Sequence, residues 1–516
     1  MLDLVIINPT AHAEIYQGLS GEYAAIEPPV WAGLLSSGIK AQGFSVEIID
    51  CEGEMIGYEK VAQLTQYLKP KLICVVVYGQ QPSASTQNMY GASLTCNAIK
   101  NINPDVPLLL VGGHVSALPE QTLRSENVDY VCQGEGIHTL SGLLRINLQR
   151  SDHLKQVPGL WYFDEFKQVV HNERAAMVPM GELSQVLPGV DYDALPMKNY
   201  RAHNWHCYDG MTDRSGYASI YTSLGCPFTC SFCCINASFG AHRFRYWQPD
   251  FIMKQIDDLV QNHGVKNLKI ADEMFVLKEP HFMEICRLIE QRGYDLNIWA
   301  YSRIDTIKER HLEQLKNAGI NWLGLGIESV SLRVRDDVVK GKFNEDKIAS
   351  VVSEVQSAGI HVAGNFIFGL PEDNLTSMKE NLDYAMSLEL DMANFYAAMA
   401  YPGSQLHLDA VSNNLKLPDT WLGYSQHSFE TLPLSTNYVD AAQVIAFRDK
   451  AWQAFHTDPA YIKRMDQKFG AKVAKHLQEM TTYKIPRKYA AKKLDVELNY
   501  PHFDSGSYII PDKKVS

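Results

Sequence analysis

The sequence predicts an α/β protein with two successive sheets, each built from alternating strands and helices. Two observations carry this prediction: apolar runs rich in β-branched residues recur along the chain, and stretches of helical length separate them. A third is an interruption of this rhythm, where prolines and aromatic residues replace it. The chain has 516 residues, 46% of them hydrophobic, which is enough for two or three domains.

The first series of strands occupies residues 1–145 and predicts a doubly wound, Rossmann-like domain. Apolar runs without polar alternation are typical of parallel strands buried on both faces. Ligands of such sheets bind at the carboxyl ends of the strands, where glycines let backbone amides approach them closely. The predicted strands are LVIINP (4–9), VEIID (46–50), LICVVVYG (72–79), VPLLLVGG (106–113) and VDYVCQGEG (128–136).

Residues 146–215 predict a linker region in which the strand and helix rhythm is lost. The stretch VPGLWYFDEFKQVVH (157–171) predicts a small hairpin within it. A proline-punctuated, aromatic-rich connection through Pro188, Pro196 and Trp205 follows. We expect this region to pack between the two larger units.

A second alternating series spans residues 216–410 and predicts a partial (βα)6 barrel. Active sites of barrels lie at the carboxyl ends of their strands. Residues 411–516 predict a helical C-terminal region without a chemical motif. The six predicted strands are ASIYTSLG (218–225), NLKIADE (267–273), LNIWAYSR (296–303), WLGLGIES (322–329), VAGNFIFGLP (362–371) and MANFYAAMAYPG (392–403).

The charge of the chain argues against nucleic acid as a partner. It carries 47 Lys and Arg against 59 Asp and Glu, a formal net charge of -12, so no broad basic field is expected. The local basic stretch KIPRKYAAKK (484–493) predicts a solvent-exposed helix face. Binding of RNA or phosphate is the alternative. With no apolar run long enough for a membrane and no signal peptide, we expect a cytoplasmic protein without membrane association.

The stretch SLGCPFTCSFCC (223–234) places four of the ten cysteines within nine positions. In a reducing cytoplasm clustered cysteines are metal ligands or catalytic groups more often than disulfides. Cys226, Cys230 and Cys233 have C-x3-C-x2-C spacing, and no second cysteine or histidine pair completes a structural zinc site. Three thiolates on one loop can hold three irons of a [4Fe–4S] cluster and leave the fourth iron open. We interpret Cys234 as a cysteine that does not bind the cluster. A redox or substrate-facing role is the alternative.

The cysteine spacing, with the aromatic Phe232 before the third cysteine, resembles that of the radical S-adenosylmethionine (SAM) superfamily. The resemblance implies that the open iron chelates the amino and carboxylate groups of SAM. It also implies that an external electron donor, such as flavodoxin or ferredoxin, supplies the electron that cleaves SAM to a 5′-deoxyadenosyl radical.

The resemblance extends to polar residues at the other strand ends. Ala271 and Asp272 stand where the family has two glycines before a glutamate, so the choice between two carboxylates stays open. GNFIFGLPE (364–372) resembles the adenine-side motif, and YPGS (401–404) resembles the turn after the sixth strand. Each residue also has an ordinary alternative as a helix cap or surface ion pair. The implied SAM contacts are Asp272 or Glu273 for the ammonium group, Ser302 and Arg303 for the carboxylate, and Glu328 and Ser329 for the ribose.

A doubly wound domain before such a barrel resembles the cobalamin-binding radical SAM enzymes, over most of residues 1–405. No D-x-H-x-x-G motif is present, and His12 and His114 read as ordinary surface or capping histidines. The implied cobalamin would have no protein ligand to cobalt. The resemblance rests on EPPVWAGLLSSGIKAQGFSVEIID (27–50), YGQQPSASTQ (78–87), VGGHVSALPEQTL (111–123) and VDYVCQGEG (128–136), and implies that Ser83, Ser85, Thr86, Gly112 and Gly113 contact the nucleotide tail or corrin rim.

The resemblance implies a methyltransferase. One SAM would methylate cobalamin, and a second would yield the radical that activates an unactivated carbon, or alternatively phosphorus, of a small-molecule substrate. Two alternatives stay open: a related enzyme that forms a ring, rearranges or oxidises without methylating, and a cobalamin-binding module with a non-catalytic barrel. The sequence does not identify the substrate.

Overall fold

Two parallel sheets, in the order that the sequence predicts, organise the computed structural model, which describes residues 2–79, 81, 83–148, 150–211, 213–491 and 494. The α/β class, the doubly wound first domain, the six-stranded barrel and the helical end of the chain are all confirmed. Lys492 and Lys493 of the basic stretch and residues 495–516 of the C-terminal region lie outside the described residues.

The first sheet has seven strands in the order β2-β1-β3-β4-β5-β6-β7. Strands β1 to β5 are parallel, and the chain reverses its winding direction between β1 and β3, which is where ligands of such sheets bind. The predicted hairpin forms, but it extends this sheet, because β6 pairs antiparallel with β5. The strands are β1 (Leu4–Asn8), β2 (Val46–Asp50), β3 (Leu72–Val77), β4 (Leu108–Gly112), β5 (Tyr130–Cys132), β6 (Leu160–Phe163) and β7 (Val169–His171).

Every residue of β3 is buried, which explains its uninterrupted apolar sequence LICVVV. Helices pack on both faces of the sheet and form two separate apolar cores. The helices of this half are α1 (His12–Tyr16), α2 (Val30–Lys40), α3 (Tyr58–Leu68), α4 (Ala84–Ile102), α5 (Gly113–Ala117), α6 (Pro119–Ser125), α7 (Ile137–Arg145), α8 (Ser151–Leu154) and α9 (Leu183–Val186).

The second sheet has six parallel strands, and its two edge strands belong to the first and last predicted barrel units. A short two-stranded sheet stands beside it at the cysteine loop. The parallel strands, in sheet order, are β15 (Met392–Ala397), β14 (His361–Phe368), β13 (Ile320–Glu328), β12 (Asn297–Arg303), β11 (Asn267–Ile270) and β8 (Tyr217–Ile220), and the short pair is β9 (Ser223–Leu224) and β10 (Arg245–Tyr246).

Four of the barrel helices begin at a capping side chain, Ser331, Asn344, Asn374 or Ser404, and Asn374 forms a capping box with Ser377. The barrel helices are α10 (Pro249–Gln261), α11 (Glu279–Arg292), α12 (Glu309–Asn317), α13 (Leu332–Asp337), α14 (Glu345–Ser357), α15 (Leu375–Ser387) and α16 (Gln405–Ser412). Three further helices follow: α17 (Ala441–Thr457), α18 (Pro459–Phe469) and α19 (Ala471–Thr481).

The C-terminal helices bury apolar side chains against the barrel. Helix α17 packs on the edge strand β15 and buries Val444, Ile445 and Phe447. This helix therefore covers one open edge of the barrel. Within the described ranges, none of the helices offers an apolar stretch that could traverse a lipid bilayer.

Candidate active site

The cysteine loop lies at the carboxyl end of β8, and the β9–β10 pair closes its base. Gly225 enters the loop in a left-handed conformation with φ of 81°. A Cβ at Gly225 would collide with the carbonyl oxygen of Arg243, so only glycine fits this turn. Of the four cysteines, Cys226, Cys230 and Cys233 are half-buried and Cys234 is buried.

Hydrogen bonds from three other segments hold the loop. Asn236 donates from Nδ2 to the carbonyl oxygen of Cys226 at 3.1 Å. The amide of Ser231 donates to the carbonyl of Val338 at 3.1 Å, and its own carbonyl accepts from the amide of Leu406 at 2.9 Å. The loop is thus tied to the segments that follow β13 and β15.

Phe232 anchors the loop by packing. Its ring is half-buried between two apolar clusters, and the ammonium group of Lys340 lies 5.8 Å from the ring centroid. The resemblance to the radical SAM superfamily also implies that Phe232 contacts a cofactor, and this contact stays a prediction. The clusters comprise Val334, Val338, Ile367, Leu370 and Ala398, and Ala400, Leu406, Ala410 and Leu434.

The donor chemistry of the loop fits an iron–sulfur cluster. All ten cysteines are free thiols, and burial raises the pKa of Cys226 to about 11 and that of Cys233 well above its ordinary value. Loading with iron would therefore release protons from neutral thiols. Among the described residues, no three Cys, His, Asp or Glu side chains are grouped tightly enough for a single metal ion.

Asp272 and Glu273 have different surroundings although they are adjacent in sequence. The carboxylate of Asp272 accepts hydrogen bonds from the amide and hydroxyl of Thr222, at 2.6 and 2.5 Å, and from the hydroxyl of Ser223 at 2.5 Å. Burial raises the pKa of Asp272 to about 6 despite these bonds. Asp272 therefore fastens the start of the cysteine loop.

The carboxylate of Glu273 lies near the thiols and makes no hydrogen bond within the described part of the chain. Burial, together with the neighbouring Asp272, raises the pKa of Glu273 to about 8, and Lys269 opposes this rise. Its charge in turn raises the pKa of the thiols of Cys226 and Cys233. Glu273 is thus a half-buried acceptor that no described group of the chain uses.

Ser302 and Arg303 end β12 but point in different directions. The hydroxyl of Ser302 lies 3.0 Å from that of Thr306, so it serves the turn into the next helix. The guanidinium of Arg303 binds both carboxylate oxygens of Asp305, at 2.8 and 2.7 Å, and its Nη1 lies 3.6 Å from Sγ of Cys230. The structure therefore brings Arg303, but not Ser302, to the cysteine loop.

Glu328 ends β13, and Ser329 follows it. Glu328 has a left-handed backbone, with φ of 64°, and its carboxylate accepts a hydrogen bond from Nζ of Lys340 at 2.5 Å in a buried ion pair. Ser329 is fully buried, and its hydroxyl accepts from the amide of Ser331 at 3.3 Å within the turn. Of the two side chains, only that of Glu328 reaches beyond its own turn, where it contacts Lys340.

The predicted cobalamin contacts fall into two groups. Ser85 donates to the carbonyl of Val77 and accepts from the amide of His114 at 2.9 Å, while a Cβ at Gly112 would collide with the carbonyl of Val77. These residues, with the buried Thr86, join neighbouring strand ends. Ser83 and Gly113 are half-buried at the rim of this edge. Gln80 and Pro82 of the YGQQPSASTQ stretch lie outside the described residues.

The interpretation of His114 as a surface or capping residue is wrong. His114 is 1% exposed, and burial lowers its pKa to about 3. Its Nδ1 lies 3.2 Å from the hydroxyl of Thr86, and its ring meets that of Trp421 edge-on at 4.5 Å. His12 is half-buried and pairs with Glu52 at 3.1 Å.

A cavity of about 520 Å³ lies between the start of the chain, the barrel strands and the C-terminal helices. Aromatic rings form much of its wall, and it contains two ion pairs, Glu27 with Lys269 and Arg448 with Asp449. The carboxylate of Asp449 also binds Arg487, at 2.8 and 2.9 Å. Burial lowers the pKa of its two histidines, so both are neutral. The aromatic and histidine side chains are Tyr16, Tyr23, Trp205, Trp299, Tyr301, Phe395, Tyr396, Trp452, Tyr483, His203 and His427.

The sequence analysis missed this cavity, although one signal pointed to it. Lys269 interrupts the buried strand NLKI, where a charged side chain is unexpected without a partner. Its ammonium group binds both carboxylate oxygens of Glu27, at 3.0 and 2.9 Å, and this charge raises the pKa of Lys269 to about 12 against the effect of burial.

Two family models match the chain. Residues 220–385 match the radical SAM superfamily, and residues 16–144 match the B12 binding domain. The first span contains the cysteine loop and four of the six barrel strands, β11 to β14. The second span contains the predicted cobalamin edge.

Named relatives agree with these matches. An uncharacterized methyltransferase of Pyrococcus horikoshii is 29% identical over 458 residues, 88% of this chain and 92% of the relative. The anaerobic magnesium-protoporphyrin IX monomethyl ester cyclase of Cereibacter sphaeroides is 25% identical over 438 residues, 83% of this chain and 66% of the relative.

The fold agrees with a solved structure as well. The radical SAM methyltransferase TsrM from Kitasatospora setae, with cobalamin and a [4Fe–4S] cluster bound, superposes with a TM-score of 0.63. The match covers 89% of this chain and 90% of that one at 16% identity, so it bears on the fold alone. The chain thus combines a radical SAM domain with a B12 binding domain, and the cofactors that these two domains imply are a [4Fe–4S] cluster, SAM and cobalamin.

Proposed function

We propose that the protein transfers a methyl group from the corrinoid to an unactivated carbon of a small-molecule substrate, with phosphorus as the alternative acceptor. When bound, the cluster and SAM supply the radical that activates the substrate, and the corrinoid supplies the methyl group. The protein has to hold these partners close together and keep water away from the radical.

One observation supports this proposal above the others: the predicted corrin edge lies directly against the segment that follows the cysteines. Helix α5 of the first domain packs on residues Ile235–Ala237. A Cβ at Gly403 would lie 2.6 Å from that of Ala237 and 3.2 Å from that of Ala117. Three segments, from the first domain, the cysteine loop and the turn after β15, therefore meet at one place.

The side chains suggest roles at this junction. Cys226, Cys230 and Cys233 would hold the cluster, with an external electron donor such as flavodoxin or ferredoxin reducing it. Glu273 would accept a hydrogen bond from the ammonium group of SAM, because its half-buried carboxylate has no partner within the described part of the chain. Glu328 would contact the ribose.

We further propose that the cavity of about 520 Å³ receives the substrate. Its volume falls in the range of small-molecule sites, and its rings and neutral histidines offer a largely apolar surface. Glu27 and Lys269 in its wall compensate each other, whereas Asp449 is shared by Arg448 and Arg487, so the second cluster carries one positive charge in excess.

Labelled-methyl SAM tests the proposal. The cluster-loaded, cobalamin-bound protein is incubated anaerobically with a reductant and cell-extract metabolites, and products are examined by mass spectrometry. We expect one metabolite to gain a labelled methyl group in place of hydrogen. Cys233→Ala protein serves as the matched control, because it should bind cobalamin without cleaving SAM.

The relationship to the cyclase of Cereibacter sphaeroides favours a second candidate, an oxidation or ring closure without methyl transfer. Turnover of a metabolite together with 5′-deoxyadenosine, but without label in the product, would establish that candidate and end the methyl-transfer proposal. Absence of both 5′-deoxyadenosine and iron–sulfur absorption would leave only a cobalamin-binding role.

A further inference from the structure

We propose that Arg303 raises the reduction potential of the iron–sulfur cluster by holding a permanent positive charge against the sulfur of Cys230. This inference rests on the cluster and not on the methyl-transfer proposal. Nη1 of Arg303 lies 3.6 Å from Sγ of Cys230, within the range of a hydrogen bond to sulfur. The side chain is deeply buried, with 5% of its surface exposed, so water screens its charge little.

Among the described residues, hydrogen-bond partners hold the edge of the Arg303 guanidinium and an aromatic ring covers one of its faces. Its Nε and Nη2 bind the carboxylate of Asp305, and Nη2 also donates to the carbonyl of Lys340. One face stacks on the ring of Phe228, with the central carbon 3.9 Å from the ring centroid. A planar fork held in this way cannot turn toward another ligand without breaking the Asp305 pair.

Phe228 strengthens this arrangement because it belongs to the cysteine loop itself. It lies between Cys226 and Cys230, and its carbonyl oxygen is 2.8 Å from Nδ1 of His242. The stack therefore joins the loop to the end of β12 and sets the distance between guanidinium and sulfur. Arginine is better suited to this contact than lysine, since only a flat cation can stack and bind in the same plane.

The charge acts on the redox step through simple electrostatics. An external one-electron donor loses one electron and the cluster gains it, so the cluster becomes more negative by one charge, and no proton or group moves. A cation and an N–H donor next to a ligand sulfur stabilise the more negative, reduced form. Glu273, near Cys226 and Cys233, has the opposite influence when it is ionised.

Asp305 partly offsets the effect of Arg303. Its carboxylate lies on the far side of the guanidinium from Cys230 in the bonding scheme, and 36% of its side chain is exposed. Removing the carboxylate should therefore change the potential in the opposite direction from removing the guanidinium. Opposite shifts from two neighbouring residues cannot come from general loosening of the loop.

The test is an anaerobic redox titration of the full-length, cluster-loaded protein without SAM, followed by electron paramagnetic resonance of the reduced cluster. We expect the midpoint potential of Arg303→Gln to be more negative than that of the unaltered protein. Arg303→Lys should lie between the two, because it keeps the charge but loses the fork. Asp305→Asn should shift to a less negative potential.

Arg310→Gln is the matched control, because Arg310 follows the same strand but forms an exposed ion pair with Glu279. Its potential should equal that of the unaltered protein. An unchanged potential in Arg303→Gln with full iron content would overturn the proposal, and weaker SAM binding in that variant would assign the guanidinium to the SAM carboxylate instead. Should Arg303→Gln lose its iron, Asp305→Asn decides: the less negative potential supports the proposal, and no shift overturns it.

Discussion

The carboxylate of Glu135, which follows β5 in the first sheet, forms a two-pronged ion pair with Arg245, which begins β10 after the cysteine loop. The Nη2 to Oε1 distance is 2.7 Å and the Nη1 to Oε2 distance is 3.2 Å. Both side chains are buried, with 3% and 5% of their surfaces exposed. The glutamate of the GEG stretch, expected near a ligand, thus joins the two domains.

Arg245→Met should lower the free energy of unfolding by about 3–5 kcal/mol, because it leaves the Glu135 carboxylate buried without its cation. Adding Glu135→Gln should restore most of this loss. Thermal unfolding of the metal-free single and double variants measures the coupling. Arg124→Met, which breaks an exposed pair with Glu120, should cost no more than about 1 kcal/mol. Additive losses in the double variant would contradict the pairing.

Alanine at Cys226, Cys230 or Cys233 should abolish iron binding and SAM cleavage, because each would remove one of three cluster ligands. Cys234→Ala should keep both, since its thiol is buried beside the loop. Iron and sulfide analysis of the reconstituted variants measures this. A loss of iron in the Cys234 variant would show that the wrong three cysteines have been chosen.

Glu273→Gln should stabilise the metal-free protein increasingly as pH rises from 4.5 toward 8. The folded-state pKa of about 8 lies above the ordinary 4.5, so the native state holds an extra proton in this window and loses stability as pH rises through it. Each pKa unit corresponds to about 1.4 kcal/mol. Thermal unfolding at pH 5 and pH 8.5 measures the difference.

The same Glu273→Gln variant should bind SAM more weakly at pH 8.5, where only the natural residue carries charge. Asp272→Asn is the control variant, because the Asp272 carboxylate bonds to the start of the cysteine loop and should not contact SAM. Equal SAM affinity in Glu273→Gln and the unaltered protein would remove Glu273 from the SAM site.

Glu328→Gln and Ser329→Ala should separate two residues that the sequence treats alike. We expect Glu328→Gln to lower SAM affinity about tenfold, or about 1.4 kcal/mol, through loss of a charged acceptor. Ser329→Ala should leave SAM affinity unchanged, because its hydroxyl is buried within its own turn. Equilibrium dialysis with the cluster-loaded protein provides the affinities, and the reverse order would contradict the assignment.

Gly113→Ala should weaken cobalamin binding about tenfold while the protein stays folded. A Cβ at Gly113 meets ordinary contacts at 3.5 Å or more and projects from the predicted corrin edge. Gly112→Ala should instead unfold the first domain, because its Cβ would collide with the carbonyl of Val77. Corrinoid absorption and thermal unfolding distinguish the two, and unchanged cobalamin binding in Gly113→Ala would place the corrin elsewhere.

Features carried by neighbouring residues were predictable from the sequence. The spacing of Cys226, Cys230 and Cys233 is local, and the buried β3 needs an apolar residue at every position, so both leave a direct signature. The hairpin was also recognisable. Its place in the first sheet was not, because the pattern of a hairpin does not reveal which sheet edge it joins.

Contacts between distant residues were not predictable in this way. Lys269 was visible as a charge in a buried strand, but its partner lies 242 residues earlier. Likewise, the direction in which a strand-end side chain points depends on the turn that follows. After β11, the turn directs the carboxylate of Asp272 to hydrogen bonds with Thr222 and places that of Glu273 near the thiols of the cysteine loop.

The pairing of Glu27 with Lys269 makes the two halves of this chain poor candidates for exchange between relatives. A barrel separated from the first domain would keep the buried ammonium group of Lys269 without its counter-charge. A first domain moved onto another barrel would bring the carboxylate of Glu27 to a surface that has no cation for it. A chimeric enzyme would therefore have to take the residues at positions 27 and 269 from the same parent.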